Sequence, residues 1–177
     1  MSDSLSVQER ARNIKLLLMD CDGVLTDGRI WILENGEDQK AFHTQDGLGL
    51  DLLHRAGLKS GIISGRHSKA VEQRADALGI SFVHLGCSDK VEAFEATLAQ
   101  AGLTAEQVAF VGDDLNDVPL LLRAALAVAV ADANHEAKAR AHYVTAAKGG
   151  RGAVRETVEL ILKAQDRWHS VVEHYLS

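Results

Sequence analysis

A nearly unbroken apolar run, Ile14 to Met19, stops abruptly at Asp20, Cys21 and Asp22. Runs without polar alternation belong to strands covered on both faces, as in a parallel sheet. Comparable runs recur at Leu58 to Ile63, Ser81 to Leu85, Val108 to Val111 and Leu126 to Ala131. Stretches of helical periodicity alternate with them: Gly49 to Arg55, His67 to Leu78, Lys90 to Ala101, Asp117 to Ala124 and Asn134 to Ala141. The alternation predicts an α/β fold, a doubly wound, Rossmann-like, mostly parallel sheet with helices on both faces.

The length of 177 residues suits a single domain, 1–177, around one core. A net charge of −6 argues against nucleic acid or an anionic membrane as partner, since both require clustered cations. Two cysteines, Cys21 and Cys87, are too few for a disulfide framework and read as reduced thiols. The polar start, MSDSLSVQERARN, has no apolar core of the kind a signal peptide carries, and the expectation is a soluble cytoplasmic protein.

Local punctuation agrees with these boundaries. Gly57, Gly79 and Gly102 each follow a helical stretch, and Thr104 to Gln107 carries capping-box chemistry for one turn. One segment breaks the alternation: residues 29–44, with Asn35-Gly36 between two strand-like arms, predict a protruding β-hairpin. Residues 153–177 form an amphipathic C-terminal helix and tail whose apolar face, Val154, Val158, Ile161 and Leu162, must dock on something.

Ligands of an open parallel sheet bind beyond the carboxyl ends of its strands. Those ends carry Asp20 and Asp22, then Ser64 and Arg66, then Lys90, then Asp113, Asp114 and Asp117. Taken singly, each has an ordinary meaning as a turn, a cap or a solvated helix start. Together they place several carboxylates at one edge, where they raise one another's pKa unless a cation joins them. Oxygen-only ligands select a hard ion, and Mg2+ beside a phosphate fits best.

The series "LLLMDCDGVLTDG", "GIISGR", the Lys of "CSDK" and "FVGDDLND" resembles the four motifs of the haloacid dehalogenase-like phosphatases. The resemblance implies that Asp20 is a nucleophile forming an aspartyl-phosphate and that Asp22 is the acid and base. It also implies that Ser64 and Lys90 bind the phosphoryl group. Mg2+ (magnesium) would be held by the Asp20 side chain, the Asp22 carbonyl and Asp113, with Asp114 and Asp117 as supporting or alternate ligands. About 40 residues separate Asp22 from Ser64 and about 25 separate Ser64 from Lys90, which leaves no room for a cap domain.

"DGVLTDG", "NGEDQKAFHTQDGLGL", "GIISGRHSKAVEQRADALGI" and "AAKGGRGAVRE" are similar to the capless sugar-acid phosphatases, above all those acting on 3-deoxy-D-manno-octulosonate 8-phosphate. Hydrolysis of that phosphosugar is the implied activity. The implied assembly is a homotetramer, with hairpins forming a central barrel and a neighbour's tail reaching the active site. His43, Thr44, Gln45, Asp46, Gly47, Arg66 and Arg74 would line the substrate site, and Gly149 to Gly152 would be a flexible approach to the tail. Asp51 and Gln45 depart from the family pattern, and a carboxylate at position 51 facing the site would repel a sugar acid. Alternatives are a phosphatase for a sialic-acid-type 9-phosphate and a noncatalytic tetramerisation module of the same fold. A receiver domain fits less well, because its phosphorylated Asp follows the third strand and "SFVHLG" ends without one.

Overall fold

The computed structural model describes residues 5–176. Its centre is a six-stranded sheet whose strands, in chain order, are β1 (Leu16–Met19), β4 (Lys59–Ile63), β5 (Phe82–His84), β6 (Val108–Gly112), β7 (Leu126–Ala129) and β8 (Tyr143–Val144). In space they run β5-β4-β1-β6-β7-β8, and every neighbouring pair is parallel. All four residues of β1 are fully buried, as expected for a strand sandwiched between helices. The chain winds outward from β1 through β4 and β5, then returns to β6 on the other side. The order of winding therefore reverses at β1, where an open α/β sheet forms its crevice.

Two helical layers cover the sheet. On one side α1 (Val7–Arg12), α7 (Ala153–Ala164), α2 (Thr44–Arg55) and α3 (Lys69–Leu78) pack in series; on the other, α4 (Lys90–Ala101), α5 (Val118–Leu121) and α6 (His135–Arg140) do. Among the described residues no helix is long and apolar enough to cross a membrane. The caps follow from sequence: Ser68 and Asp89 accept backbone N–H groups at the starts of α3 and α4, and Gly79 and Gly102 end them in the left-handed region. The expected one-turn cap is also present, with Thr104 opening a 3-10 turn over Ala105–Gln107.

Three features differ from the sequence reading. Helix α1 and strand β8 were not expected, the first hidden in a polar segment and the second only two residues long. Helix α2 begins at Thr44 and not at Gly49, so it starts where the expected hairpin segment ends. The sequence reading starts the helix at Gly49 and assigns Gly47 to the substrate site. In the fold both glycines are points of close helix packing, where a Cβ would press on Arg74 and on the Arg155 backbone.

The hairpin consists of β2 (Trp31–Ile32) and β3 (Asp38–Gln39), paired antiparallel with Trp31 opposite Gln39. Gly36 donates to the Leu33 carbonyl, Leu33 donates to Glu37, and Gly36 has φ +80°. This is a three-residue loop with glycine at its left-handed position, one residue longer than a two-residue Asn-Gly turn. Trp31 and Ile32 are more than 60% exposed.

The C-terminal segment docks on its own chain. Helix α7 buries Val154, Val158, Ile161 and Leu162 in the layer it shares with α2, and α8 (Trp168–Val172) continues along the same side with Val171 buried. The apolar stripe of α7 completes the layer that α2 leaves open.

Candidate active site

The β1–β4 and β1–β6 registers, Met19 opposite Ile62 and Val111, bring the residues beyond these strands to one edge. Asp20, at the end of β1, donates its backbone N–H to Val111 and is almost fully buried. Lys90, the first residue of α4, reaches across and donates to Asp20 Oδ1 at 2.8 Å and to Asp117 Oδ1 at 2.7 Å. The second oxygen of Asp117 accepts the backbone N–H groups of Asp113 and Asp114 at 2.9 and 3.3 Å. Both oxygens of this fully buried carboxylate are therefore engaged in holding the loop and the lysine.

Asp113 differs in that its Oδ1 is buried with no hydrogen-bond partner. Burial, then the charges of Asp20 and Asp117, push its carboxyl up to about 8. Burial likewise pushes Asp20 up to about 6, with Asp117 adding and Lys90 opposing. Burial alone would lower Lys90, but Asp20 and Asp117 hold its ammonium above its ordinary range. Asp20, Asp113 and Asp117 each offer an oxygen within 4.8 Å of the others. An oxygen-only cluster with an orphaned buried carboxylate oxygen is short of positive charge, and a hard divalent cation fits it. Gly23, with φ +98°, is obligatory here, since a Cβ would overlap the Asp113 carboxylate.

Ser64 is buried at the end of β4, and its Oγ accepts the Arg66 backbone N–H at 3.3 Å. The Arg66 side chain is half exposed, with Nε 3.6 Å from Asp22 Oδ2. Asp22 Oδ1 accepts from Lys40, a residue of the hairpin base whose side chain is completely buried. Lys40 was missed in the sequence, where nothing distinguishes it from any hairpin lysine.

The other expected site residues separate into groups. Asp114 is exposed and caps the next turn through Leu115 N–H, so its carboxylate does not join the cluster. Asp46 is fully buried, and its two oxygens accept the backbone N–H groups of Gly152 and Arg155 at 3.2 and 2.9 Å. It caps α7, which has no cap of its own, and has no free oxygen for a sugar. His43, Thr44 and Gln45 sit at the α2 N-terminus, His43 with a buried Nδ1 lacking a partner and the other two exposed. Arg74 lies over the Phe42 ring, 5.7 Å from its centroid, against the Cβ-less face of Gly47.

Asp51 pairs with Arg55 at 2.8 Å along α2, so its charge is partly met within the helix. Asp27 accepts the Arg29 N–H and shapes the turn into the hairpin. The glycines at 149–150 are no flexible approach: Gly150 donates to Val24 O at 2.8 Å, and a Cβ at either position would overlap the backbone between Gly23 and Asp27. They clamp the loop that carries Asp22.

Residues 86–156 match the family model of the haloacid dehalogenase-like hydrolases. Over 161 residues, 91% of this chain and 86% of the relative, the sequence is 48% identical to 3-deoxy-D-manno-octulosonate 8-phosphate phosphatase of Yersinia pestis. The chain belongs to the 3-deoxy-D-manno-octulosonate 8-phosphate phosphatase family. The crystal structure of the Yersinia pestis phosphatase superposes with a TM-score of 0.89, covering 91% of this chain and 87% of that one. The phosphatase of Moraxella catarrhalis, in complex with magnesium ion, phosphate ion and KDO, is 39% identical with a TM-score of 0.93, covering 96% and 97%. Family membership makes this chain a phosphatase, and the strand-end acids gather at the sheet edge where an open α/β sheet forms its crevice.

Proposed function

We propose that the protein is a Mg2+-dependent phosphomonoesterase that hydrolyses 3-deoxy-D-manno-octulosonate 8-phosphate to the free sugar acid and phosphate. The observation that carries this reading is the buried Asp20, held by Lys90 beside the unpartnered oxygen of Asp113. Lys90 and Asp117 fix the orientation of Asp20, so its carboxylate meets phosphorus already aligned. An Asp20 oxygen attacks phosphorus as the bond to the sugar oxygen breaks, and Asp22 gives that oxygen a proton. Asp22 then takes a proton from the water that attacks the aspartyl-phosphate, and Asp20 leaves as carboxylate. Ser64 and Lys90 bind phosphoryl oxygens as their charge redistributes. Bound Mg2+, with the Asp20 and Asp113 side chains and the Asp22 carbonyl as ligands, supplies the charge that lets one anion approach another.

His43, Thr44, Gln45, Gly47, Arg66 and Arg74 are the groups available for the sugar acid, with the two arginines as partners for its carboxylate. The free thiols Cys21 and Cys87 suit a reducing, cytoplasmic setting. Trp31 and Ile32, exposed on a protruding hairpin, suit a homotetramer built through the hairpins.

Phosphate release from the eight-carbon 8-phosphate and from a sialic-acid-type 9-phosphate, each with Mg2+ and with EDTA, tests the reading. Mg2+-dependent turnover preferring the eight-carbon ester is expected. Preference for the nine-carbon ester would reassign the substrate, and release from neither would favour a noncatalytic module.

A further inference from the structure

Lys40 occupies an unusual position for a hairpin residue. Its side chain is wholly buried, and its ammonium lies between two carboxylates, donating to Asp22 Oδ1 and standing 3.4 Å from Asp38 Oδ2. Asp38 is anchored in turn by Ser68 Oγ at 2.8 Å, and Ser68 is the N-cap of α3. A chain of buried polar contacts thus runs from a helix terminus through the hairpin base to Asp22. The two oxygens of Asp22 have different surroundings: Lys40 takes Oδ1, whereas Oδ2 is buried with no hydrogen-bond partner and has Arg66 Nε only at 3.6 Å.

We propose that Lys40 is a positioning residue for the acid–base step, gripping Asp22 by Oδ1 so that Oδ2 is the oxygen through which the proton travels. The inference rests on the reading of Asp22 as acid and base. As the phosphorus–oxygen bond to the sugar breaks, its electron pair stays on the sugar oxygen, which takes the proton from Oδ2. In the second step Oδ2 receives a proton from the attacking water. A carboxyl swinging on two torsions would often miss a leaving oxygen, and one pinned at its other oxygen is already aimed. The hairpin ladder, two residues per arm, is too short to fix this aim unaided. Asp38 and Ser68 supply the anchorage.

A merely structural lysine and a positioning lysine differ in leaving-group dependence. An alkoxide leaves poorly without a proton, whereas p-nitrophenolate leaves unaided. In single-turnover experiments with Mg2+, Lys40→Met is expected to slow sugar release from the 8-phosphate about 100-fold, the scale of a lost general acid, while slowing p-nitrophenol release less than about 5-fold. Equal slowing of both esters, or of neither, overturns the inference. Asp22→Asn is the control: if it shows no such split, Asp22 is not the acid; if it does and Lys40→Met does not, only the role of Lys40 falls. Should Lys40→Met fail to fold, Asp38→Asn, which keeps side-chain volume and loosens the lysine, must show the same split at about 10-fold.

Discussion

Lys90 Nζ lies 2.8 Å from Asp20 Oδ1, both side chains almost fully buried, so the cation proposed to face phosphate also holds the carboxylate proposed to attack it. Lys90→Met therefore loses charge stabilisation and alignment together, and phosphate release is expected to fall by about 100- to 1000-fold. Asp20→Asn is expected to abolish release while leaving the circular dichroism spectrum unchanged. Activity above about a tenth of wild type in Asp20→Asn would remove it as nucleophile.

Metal and protons compete for the same acids. With Asp113 raised to about 8 and Asp20 to about 6, against 3.8 for an ordinary aspartate, the metal-free folded state binds more protons than the unfolded chain between about pH 4 and 8. Stability from these groups is complete below about pH 4 and is lost as pH rises through 6 and 8. Thermal unfolding in EDTA should show this loss, and the gain in Tm on adding Mg2+ should be larger at pH 8 than at pH 5. The slope should shrink in Asp113→Asn; an unchanged slope would contradict the assignment.

Asp46 holds the start of α7 across 106 residues of sequence. Asp46→Ala should destabilise the protein by about 2 kcal/mol, the sum of two charge-assisted caps, while kcat below the melting range changes less than about 3-fold. A raised KM for the phosphosugar with an unchanged Tm would instead make Asp46 a substrate ligand.

Gly150→Ala should damage catalysis more than stability alone explains. Its Cβ would strike Thr26 and Asp27, in the loop that follows Asp22, at a φ of +63°. Gly36→Ala is the comparison, with φ +80° but nothing near the added Cβ, so it carries backbone strain without the collision. The expected outcome is a kcat loss of at least about 10-fold for position 150 and none for position 36, by steady-state kinetics.

The proposed hairpin-built tetramer predicts that Trp31→Ser combined with Ile32→Ser lowers the mass in size-exclusion chromatography with light scattering. Both side chains are more than 60% exposed on one copy, an apolar area that a solitary chain gains nothing by displaying. An unchanged mass would exclude the hairpin as the interface.

Residues that follow an apolar strand within three positions were legible from the sequence, because a parallel sheet delivers its carboxyl ends to one place. Asp20, Asp22, Ser64 and Asp113 are of this kind, and Lys90 follows from the helix start after β5. Asp46 and Lys40 were not legible in their observed roles. The partner of Asp46 is a helix start more than 100 residues away, and that of Lys40 is a carboxylate reached only once the hairpin folds back. Gly149 and Gly150 misled for a related reason: glycine signals freedom along the chain, whereas here it serves close approach of two backbones. Long-range contacts leave no periodic trace.

The pairing of α2 with α7 also sets an order of events during synthesis. Gly49 is built to receive the Arg155 backbone, and Leu50 and Leu53 are fully buried in the finished protein. As the chain emerges from the ribosome, α2 is present long before the helix that covers it. It also carries the carboxylate that α7 needs as a cap. The nascent protein thus holds an apolar surface open while some 106 further residues are added, from Asp46 to Gly152, and closes it only when α7 emerges. Such a chain has its greatest exposure to aggregation, and its greatest use for a chaperone, in the interval before α7 appears.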